Sequence, residues 1–533
     1  MGPPPSPIDE SSSPVAPPPA AQLESAVRSV GRGTIALVIS TALFVVLGFV
    51  SRVTIAHLVS VQQWGEFSLG LALSSLLGIV VALGLPNAVS RALSYESDWA
   101  ARRRIVRSTL LAALASGAGG SAVIFVLAGS LAGAFHDPNL TVVFQLFAPS
   151  IGFTVVSSVL AAYFQGMERV GANAVFNLGL NPALFLAFLG LSFALHGRFV
   201  GILAAYLLSA GVACLALAFY TWRALPKALE RSVHATEADP SGHVSLLAMT
   251  ISLFGAGSLN LLTQYADTLI LGVFWTTAVV GLYSAGMTLA RLFVAGSTAL
   301  LYIYLPVSTR LRRSRDFGAL RSTYVTSARW VTVMTLPVFV VFFFDPAPTL
   351  GAVFGGSYTS AVLALRILSV ASFLSVIIGP SNAALSGLGH PVANMAAAGT
   401  SLGMNVALSL LLIPTWGLLG AAVAWSVARL VYTNLCLLVL WKEYRVTPFA
   451  SHYLRPIALT LLVLIPVFVL LPVGAAHPLL LLPLAALAIG VTLAAIPLTN
   501  SVDPGDLILL DSVLRTLHLG LPSLRRFLER HAS

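Results

Sequence analysis

The chain has 533 residues, of which 57% are hydrophobic and only 9% charged. Soluble domains average roughly a quarter charged residues, which excludes an ordinary soluble enzyme and leaves an all-α, polytopic membrane protein. The net charge of +10 does not point to nucleic acid. Its basic residues lie in short runs between apolar segments, where membrane topology and anionic lipid account for them.

Residues 1–27 are rich in Pro, Ser and Ala and read as a disordered cytoplasmic tail. They lack the basic start, apolar stretch and cleavage site of a signal peptide. Fourteen apolar segments follow, each near the roughly 20 residues that cross a ~30 Å hydrocarbon core. Their limits are 33–57, 66–89, 108–133, 143–165, 172–195, 199–222, 246–274, 281–305, 326–344, 360–386, 392–413, 417–441, 454–473 and 477–499. The expected organisation is an N-lobe over 28–222, a cytoplasmic linker over 223–245, a C-lobe over 246–442, two extra spans over 443–500, and an amphipathic cytoplasmic tail over 501–533. Alternate segments hold the basic residues: Arg91, Arg102, Arg103, Arg104 and Arg107, then Arg169, then Arg223, Lys227 and Arg231, and so on to Arg530. The intervening loops hold only Arg198. By the positive-inside rule both termini are expected on the cytoplasmic side of the cytoplasmic (inner) membrane.

The chain also repeats itself. WGEFSLG at 64–70 matches VGLYSAG at 280–286, QGMERVGAN at 165–173 parallels SGLGHPVAN at 386–394, LGLNPAL at 178–184 parallels LGMNVAL at 402–408, and GILAAY at 201–206 parallels GAAVAW at 420–425. The expectation is two parallel six-helix repeats plus two extra helices. Both copies then have the same orientation, an arrangement that transporters use for alternating access, with substrate bound between the copies.

Asp267 lies well inside an apolar span, where an ionisable group costs about 2.5–3.5 kcal/mol and therefore faces a partner or a water-filled cavity. Asn260 and Gln264 precede it on the same helical face. Three readings of Asp267 stand open: an ion- or proton-coupling carboxylate, a salt-bridge partner of Arg291 on the next helix, or a direct substrate contact. Four arginines also lie inside spans: Arg52, Arg291, Arg366 and Arg429. Together they would make a cationic cavity, because arginine stays charged and binds phosphate in a bidentate way. The competing reading is that they pair with carbonyls or with Asp267, or snorkel outward, Arg366 most easily because it lies near a span end. Asn173, Asn177 and Asn181 are spaced four apart on one face, where amides suit either sugar hydroxyls or plain interhelical hydrogen bonds; Asn394 and Asn405, their repeat partners, lean toward structure. Gly84-Leu85-Pro86 and Leu305-Pro306 sit at equivalent places and read as hinges or plain helix ends. Cys214 and Cys436 read as packing residues, with no metal site and no disulfide framework. P-loop, HExxH, Cys-x-x-Cys and strand-borne GxSxG patterns are absent, so an enzyme is not expected.

The stretches GFVSRVTIAHLVSVQQWGEFSLGLAL, GLPNAVSRAL, YADTLILGVFWTTAVVGLYSAGMTLARL and LRILSVASFLSVIIGPSNAALSGLGHP resemble the multidrug/oligosaccharidyl-lipid/polysaccharide (MOP) exporter superfamily. The resemblance is to its polysaccharide transporters, which include Wzx-type oligosaccharide flippases, and it runs from about residue 30 to 500. It implies a two-lobed, V-shaped helical bundle with a central cavity that rocks between two open states. The implied substrate is a polyprenyl-(pyro)phosphate-linked oligosaccharide moved from the inner to the outer leaflet for cell-surface polysaccharide assembly. GFVSRV is similar to the GFVRD-type motif of the lipid II flippases in that superfamily, whose arginine lines the cavity. Here Arg52 is displaced by one and no acid follows it. By analogy with those flippases, the two extra helices would offer a groove for the lipid tail. The expected partners are the lipid-linked oligosaccharide, membrane lipids and glycan polymerase or assembly proteins. No cofactor is expected, with proton or sodium coupling open at Asp267. The alternatives are a MATE-like multidrug or cation exporter, whose cavity would favour carboxylates and aromatics over arginines, and a membrane enzyme of glycan assembly. The enzyme would need a catalytic outer loop, but the longest one, 345–359, holds no Arg, Lys or His.

Overall fold

The structure is a computed structural model that describes residues 40–82, 84–96, 98–167, 171–231, 243–313, 317–449, 451–470 and 481–499. Among these residues there are helices and turns and no strand. The expected tails over 1–27 and 501–533 lie outside the described residues. The first half comprises α1 (Ser40–Leu58), α2 (Val61–Ala82), α3 (Leu85–Tyr95), α4 (Trp99–Ala134), α5 (Leu140–Gly166), α6 (Gly171–Asn173), α7 (Asn181–Ala194) and α8 (Phe199–Arg231). The second half comprises α9 (His243–Phe274), α10 (Thr277–Arg313), α11 (Phe317–Phe344), α12 (Pro346–Phe354), α13 (Val362–Ile377), α14 (Ser381–Gly387), α15 (Pro391–Trp416), α16 (Leu418–Tyr444), α17 (Ser451–Leu470) and α18 (Leu481–Leu498). Ten of the described helices are long and apolar enough to cross a membrane, and Thr277–Phe293 and Tyr453–Phe468 are shorter apolar helical stretches. The protein is a multi-pass, all-α membrane protein.

Local sequence sets the helix ends. Before α2, the Gln63 amide donates to Ser60 Oγ and the Ser60 amide to Gln63 Oε1, both at 3.2 Å, a reciprocal cap that satisfies two donors. Asp98 caps α4 by accepting from the amides of Ala100 and Ala101. Gly84, at φ +74°, takes the left-handed turn that lets α3 begin with Pro86 in its first turn. At Gly417, φ +51°, the chain turns from α15 into α16, and the Trp275 ring packs so closely that a β-carbon there would lie 2.9 Å from it.

In the first half α5 packs against α4 and α8, and α8 against α7. In the second half α15 packs against α9 and α16, and α13 against α10, α11 and α16. α17 and α18 pack on one another and on α11. The two halves meet where α2 lies against α9 and α10. The α2–α10 crossing is made backbone to backbone. A β-carbon on Gly65 would overlap the Thr277 carbonyl, and one on Gly281 would overlap the Val61 carbonyl. These two glycines hold the same place in the WGEFSLG and VGLYSAG stretches.

The helix bundle has two unlike ends. One carries Arg91, Arg103, Arg104, Arg107, Lys442 and Arg445; the other carries the turns at Ser60, His136, Arg198, Trp275, Gly355 and Gly417. The second end is knitted across the halves. His57 Nε2 meets the Val353 carbonyl at 2.9 Å and Thr277 Oγ1 donates to Asp137 Oδ2 at 3.0 Å. Phe135 and Leu69 close over Gly272.

Several sequence expectations change. The stretch 345–359 is not an open loop: Pro346 starts α12, and a 3-10 turn, Gly356–Ala361, leads into α13. The linker expected from 223 begins later, because α8 continues to Arg231. Gly84-Leu85-Pro86 is a helix boundary, but Pro306 lies within the continuous α10, so the two are not equivalent hinges. In the second half the break falls instead at Gly379-Pro380, where φ of Gly379 is +82°. The Asn173–Asn181 stretch is not regular α-helix: Ala174–Leu180 is a π turn, and the Asn181 amide bonds to the Phe176 carbonyl.

Candidate functional site

A cavity of about 450 Å³ opens between α1, α9, α10 and α16, on the arginine-rich side of the Gly65–Gly281 crossing. Arg52 from α1, Arg291 from α10 and Arg429 from α16 all face it. Asn260 and Gln264 from α9 join them, as the one-face spacing required. A small annex of about 30 Å³, room for about one water-sized particle, lies between the cavity and α2 and shares Arg52 and Arg291 with it. Trp64 Nε1 and Arg291 Nε are buried without a hydrogen-bond partner, and both residues line the annex. Among the described residues, no carboxylate pairs with Arg52, Arg291 or Arg429. The pocket is therefore rich in donors and in positive charge. A buried cation left without an anion is costly, so the arrangement calls for an anionic occupant.

Arg291 and Arg429 are held by neutral groups. Arg291 lies 5.5 Å from the centre of the Tyr265 ring, and its Nη2 donates to the Gln264 carbonyl at 3.4 Å. Arg429 Nε donates to Ser375 Oγ at 3.1 Å. Beside it, Asn260 Nδ2 donates to Tyr432 Oη at 3.2 Å, and Tyr432 Oη donates to Asn394 Oδ1 at 2.9 Å. This chain of hydrogen bonds fixes the floor between α9, α15 and α16. Asn405 is structural in the plain sense, its Nδ2 donating to the Thr263 carbonyl at 3.0 Å. Both cysteines are free and buried, with Cys436 beside Asn394.

Three expected site residues lie elsewhere. Arg366 is exposed on α13, where Nε donates to the Phe343 carbonyl at 3.0 Å and the guanidinium rests over the Phe343 ring, so it does not reach the cavity. Its place near the helix end lets the long side chain satisfy a carbonyl instead. Arg366→Gln should therefore leave anion binding in the cavity unchanged, whereas Arg291→Gln should weaken it, both measured with inorganic pyrophosphate as the probe. Asn177 and Asn181 sit on the π turn and at the start of α7, away from the cavity. Asn177 Nδ2 donates to Asn173 Oδ1 at 2.9 Å, within the same stretch of chain.

Asp267 does not form the salt bridge with Arg291. It is fully buried, accepting from the Tyr283 hydroxyl and, at 2.7 Å, from the Thr268 amide. The reason is hairpin geometry. Trp275 stands at the turn between α9 and α10, and Asp267 and Tyr283 are equally far from it in sequence, hence at one depth. Arg291 lies about 12 Å further along α10 at the helical rise. That symmetry about the turn was a signal the sequence offered and the charge pattern obscured. Tyr265, Trp425 and Tyr432 on the cavity wall, and Trp64 on the annex, were also missed. Aromatic residues in an apolar span look like core packing.

The sequence profile described as polysaccharide biosynthesis protein matches residues 30–312, just over half of the chain. The chain belongs to this family. Within the family of polysaccharide biosynthesis proteins, it is 27% identical over 175 residues to the probable low-salt glycan biosynthesis flippase Agl15 of Haloferax volcanii. It is 26% identical over 188 residues to the probable flippase AglR of the same organism. The matches span 32% and 35% of this chain and 36% and 39% of those proteins, little more than a third of the relatives' length. Among solved structures, the lipid II flippase MurJ in an inward closed conformation superposes with a TM-score of 0.68 at 14% identity, over 86% of this chain and 98% of that one. An inward-facing multidrug resistance MATE transporter of the MOP superfamily gives 0.61 at 14% identity, over 78% and 98%. This polysaccharide biosynthesis family member thus has the MOP transporter fold.

Proposed function

We propose that this protein is a flippase that moves a polyprenyl-(pyro)phosphate-linked oligosaccharide from the inner to the outer leaflet of the cytoplasmic membrane, for cell-surface polysaccharide assembly. The observation that carries this reading is the cavity with three guanidiniums and no carboxylate partner among the described residues. Guanidinium forks suit a (pyro)phosphate better than any other group such a lipid carries. The curated relatives named as flippases support the same reading. A cation exporter would instead need an acid on the cavity wall. Asp267 stands off that wall, held by Tyr283 and Thr268. Transport rather than catalysis is the function, and both termini are cytoplasmic in this reading, with the arginine-rich end inward.

The two halves act as lobes, 28–222 and 246–442, that rock about the cavity, while 443–500 supports the lipid tail. The cavity lies on the arginine-rich side of the closed Gly65–Gly281 crossing, so in this reading the arrangement is the state that loads substrate from the inner leaflet. The headgroup would lie against Arg52, Arg291 and Arg429, with Asn260 and Gln264 offering amides to the first sugar. In this reading Asp267 couples the cycle to a proton or sodium gradient, since it is buried between α9 and α10 and accepts from the Tyr283 hydroxyl. Asp267→Asn should insert normally and flip at a rate that no longer responds to a gradient, checked in proteoliposomes with and without an imposed pH or sodium difference. The family reading itself is tested by deleting the gene: lipid-linked oligosaccharide should accumulate on the inner leaflet, and unchanged export would refute it.

A further inference from the structure

The end of the bundle opposite the cavity carries two depressions that meet at Gln62. One, of about 460 Å³, holds Gln62, Glu66 and Arg198; the other, of about 480 Å³, holds Gln62, Asp137, Phe274 and Trp275. Both are of a size that takes small ligands. The Trp275 side chain is unlike an interfacial anchor, which turns its N–H toward headgroups and water. Here Nε1 is spent on the Ile413 carbonyl at 2.8 Å, and one face of the ring is pinned against Gly417, leaving the other. What remains toward the depression is a fixed, apolar ring. The same depressions hold groups that bond to hydroxyls: Asp137, Gln62, whose Nε2 donates to Glu66 Oε1 at 3.3 Å, and, past Gln62, Glu66 and Arg198. Asp137 is itself positioned, accepting from Thr277 Oγ1 and from the Asn139 amide. A flat apolar wall facing carboxylates and amides is the chemistry that recognises a pyranose, which has an apolar C–H face and a rim of hydroxyls.

We propose that this paired groove is a saccharide-binding site that holds the glycan of the exported lipid on the outer face. The identity of the ligand rests on the flippase reading; the site itself rests on the geometry. The groove is built from both halves, with Gln62 and Asp137 from the first and Phe274 and Trp275 from the second. It exists only while this end is closed. A glycan bound there therefore stabilises the closed outer end and favours return to the loading state.

The test uses the whole protein in cells. Both natural cysteines are buried, so a Thr276→Cys variant offers one exposed thiol at the groove and Ser357→Cys offers one on the same end away from it. A membrane-impermeant maleimide is applied to cells that make lipid-linked oligosaccharide and to cells blocked in the first glycosyl transfer. The proposal expects slower labelling of the Thr276 variant only when the glycolipid is made, and no change at the Ser357 variant. Adding Trp275→Ala should abolish the protection, and Trp275→Phe should keep it. Equal labelling in both cell types, or equal slowing at both positions, overturns the site. Export that continues in cells lacking the protein overturns the flippase reading instead, and is scored separately by the glycolipid's leaflet distribution.

Discussion

Replacing Gly65 with valine should hold the protein away from its loading state. A β-carbon at Gly65 overlaps the Thr277 carbonyl and comes within 2.9 Å of the Gly281 amide, both of them backbone atoms that cannot swing aside. Overpacking of this kind typically costs about 1–3 kcal/mol, which at about 1.4 kcal/mol per tenfold lowers the population of the closed crossing by roughly 5- to 150-fold. The outward-open arrangement needs no such approach. Ser68, buried on α2 against the annex, then becomes reachable from the outer face. A Ser68→Cys probe should label from outside far faster in the Gly65→Val background than in the parent, and flipping should stop. Gly281→Val should behave alike, because its β-carbon overlaps the Val61 carbonyl. Gly129→Ala is the control, since nothing lies within 4 Å of that position. Slow labelling together with normal flipping in Gly65→Val would mean that the crossing is not the outer gate.

The second large effect is expected at the cavity arginines. Arg52→Ala and Arg291→Ala should each insert normally and lose transport. A hydrogen bond to a charged group is worth about 1.5–3 kcal/mol, so removing one guanidinium should weaken headgroup binding by roughly 10- to 150-fold. Neither arginine supports the fold through an ion pair among the described residues, so stability should change little. Arg291→Lys should retain only part of the activity, because an ammonium keeps the charge but loses the guanidinium fork. Membrane insertion is checked by surface labelling, and transport by the leaflet distribution of the lipid-linked oligosaccharide.

The sequence made the helical class and most of the cavity legible, and for definite reasons. Charge is so costly within a span that Arg52, Arg291, Arg429 and Asp267 stand out against their surroundings. Helical spacing then put Asn260 and Gln264 on one face, and both line the cavity. What failed was tertiary. Opposite charges on adjacent helices suggested Asp267 with Arg291, but the turn at Trp275 sets Tyr283 at the depth of Asp267 and leaves Arg291 further along. Arg366 obeyed the same rule of cost as the other arginines and met it with the Phe343 carbonyl at the end of α11. The asparagines spaced four apart assumed an unbroken α-helix, and the π turn at Ala174–Leu180 removes that premise. The Gly65–Gly281 contact was visible only as a repeated letter; its meaning needs two backbones in one place.

The most direct measurement is headgroup accessibility in proteoliposomes loaded with a fluorescent polyprenyl-pyrophosphate oligosaccharide, comparing the wild type with the Arg52→Ala, Arg291→Ala double variant. The expected result is rapid exchange of the headgroup between leaflets by the wild type and exchange at the protein-free rate for the double variant. Exchange that survives the loss of both arginines, or a wild type that leaves the glycolipid in place and moves a cationic dye instead, would contradict the account.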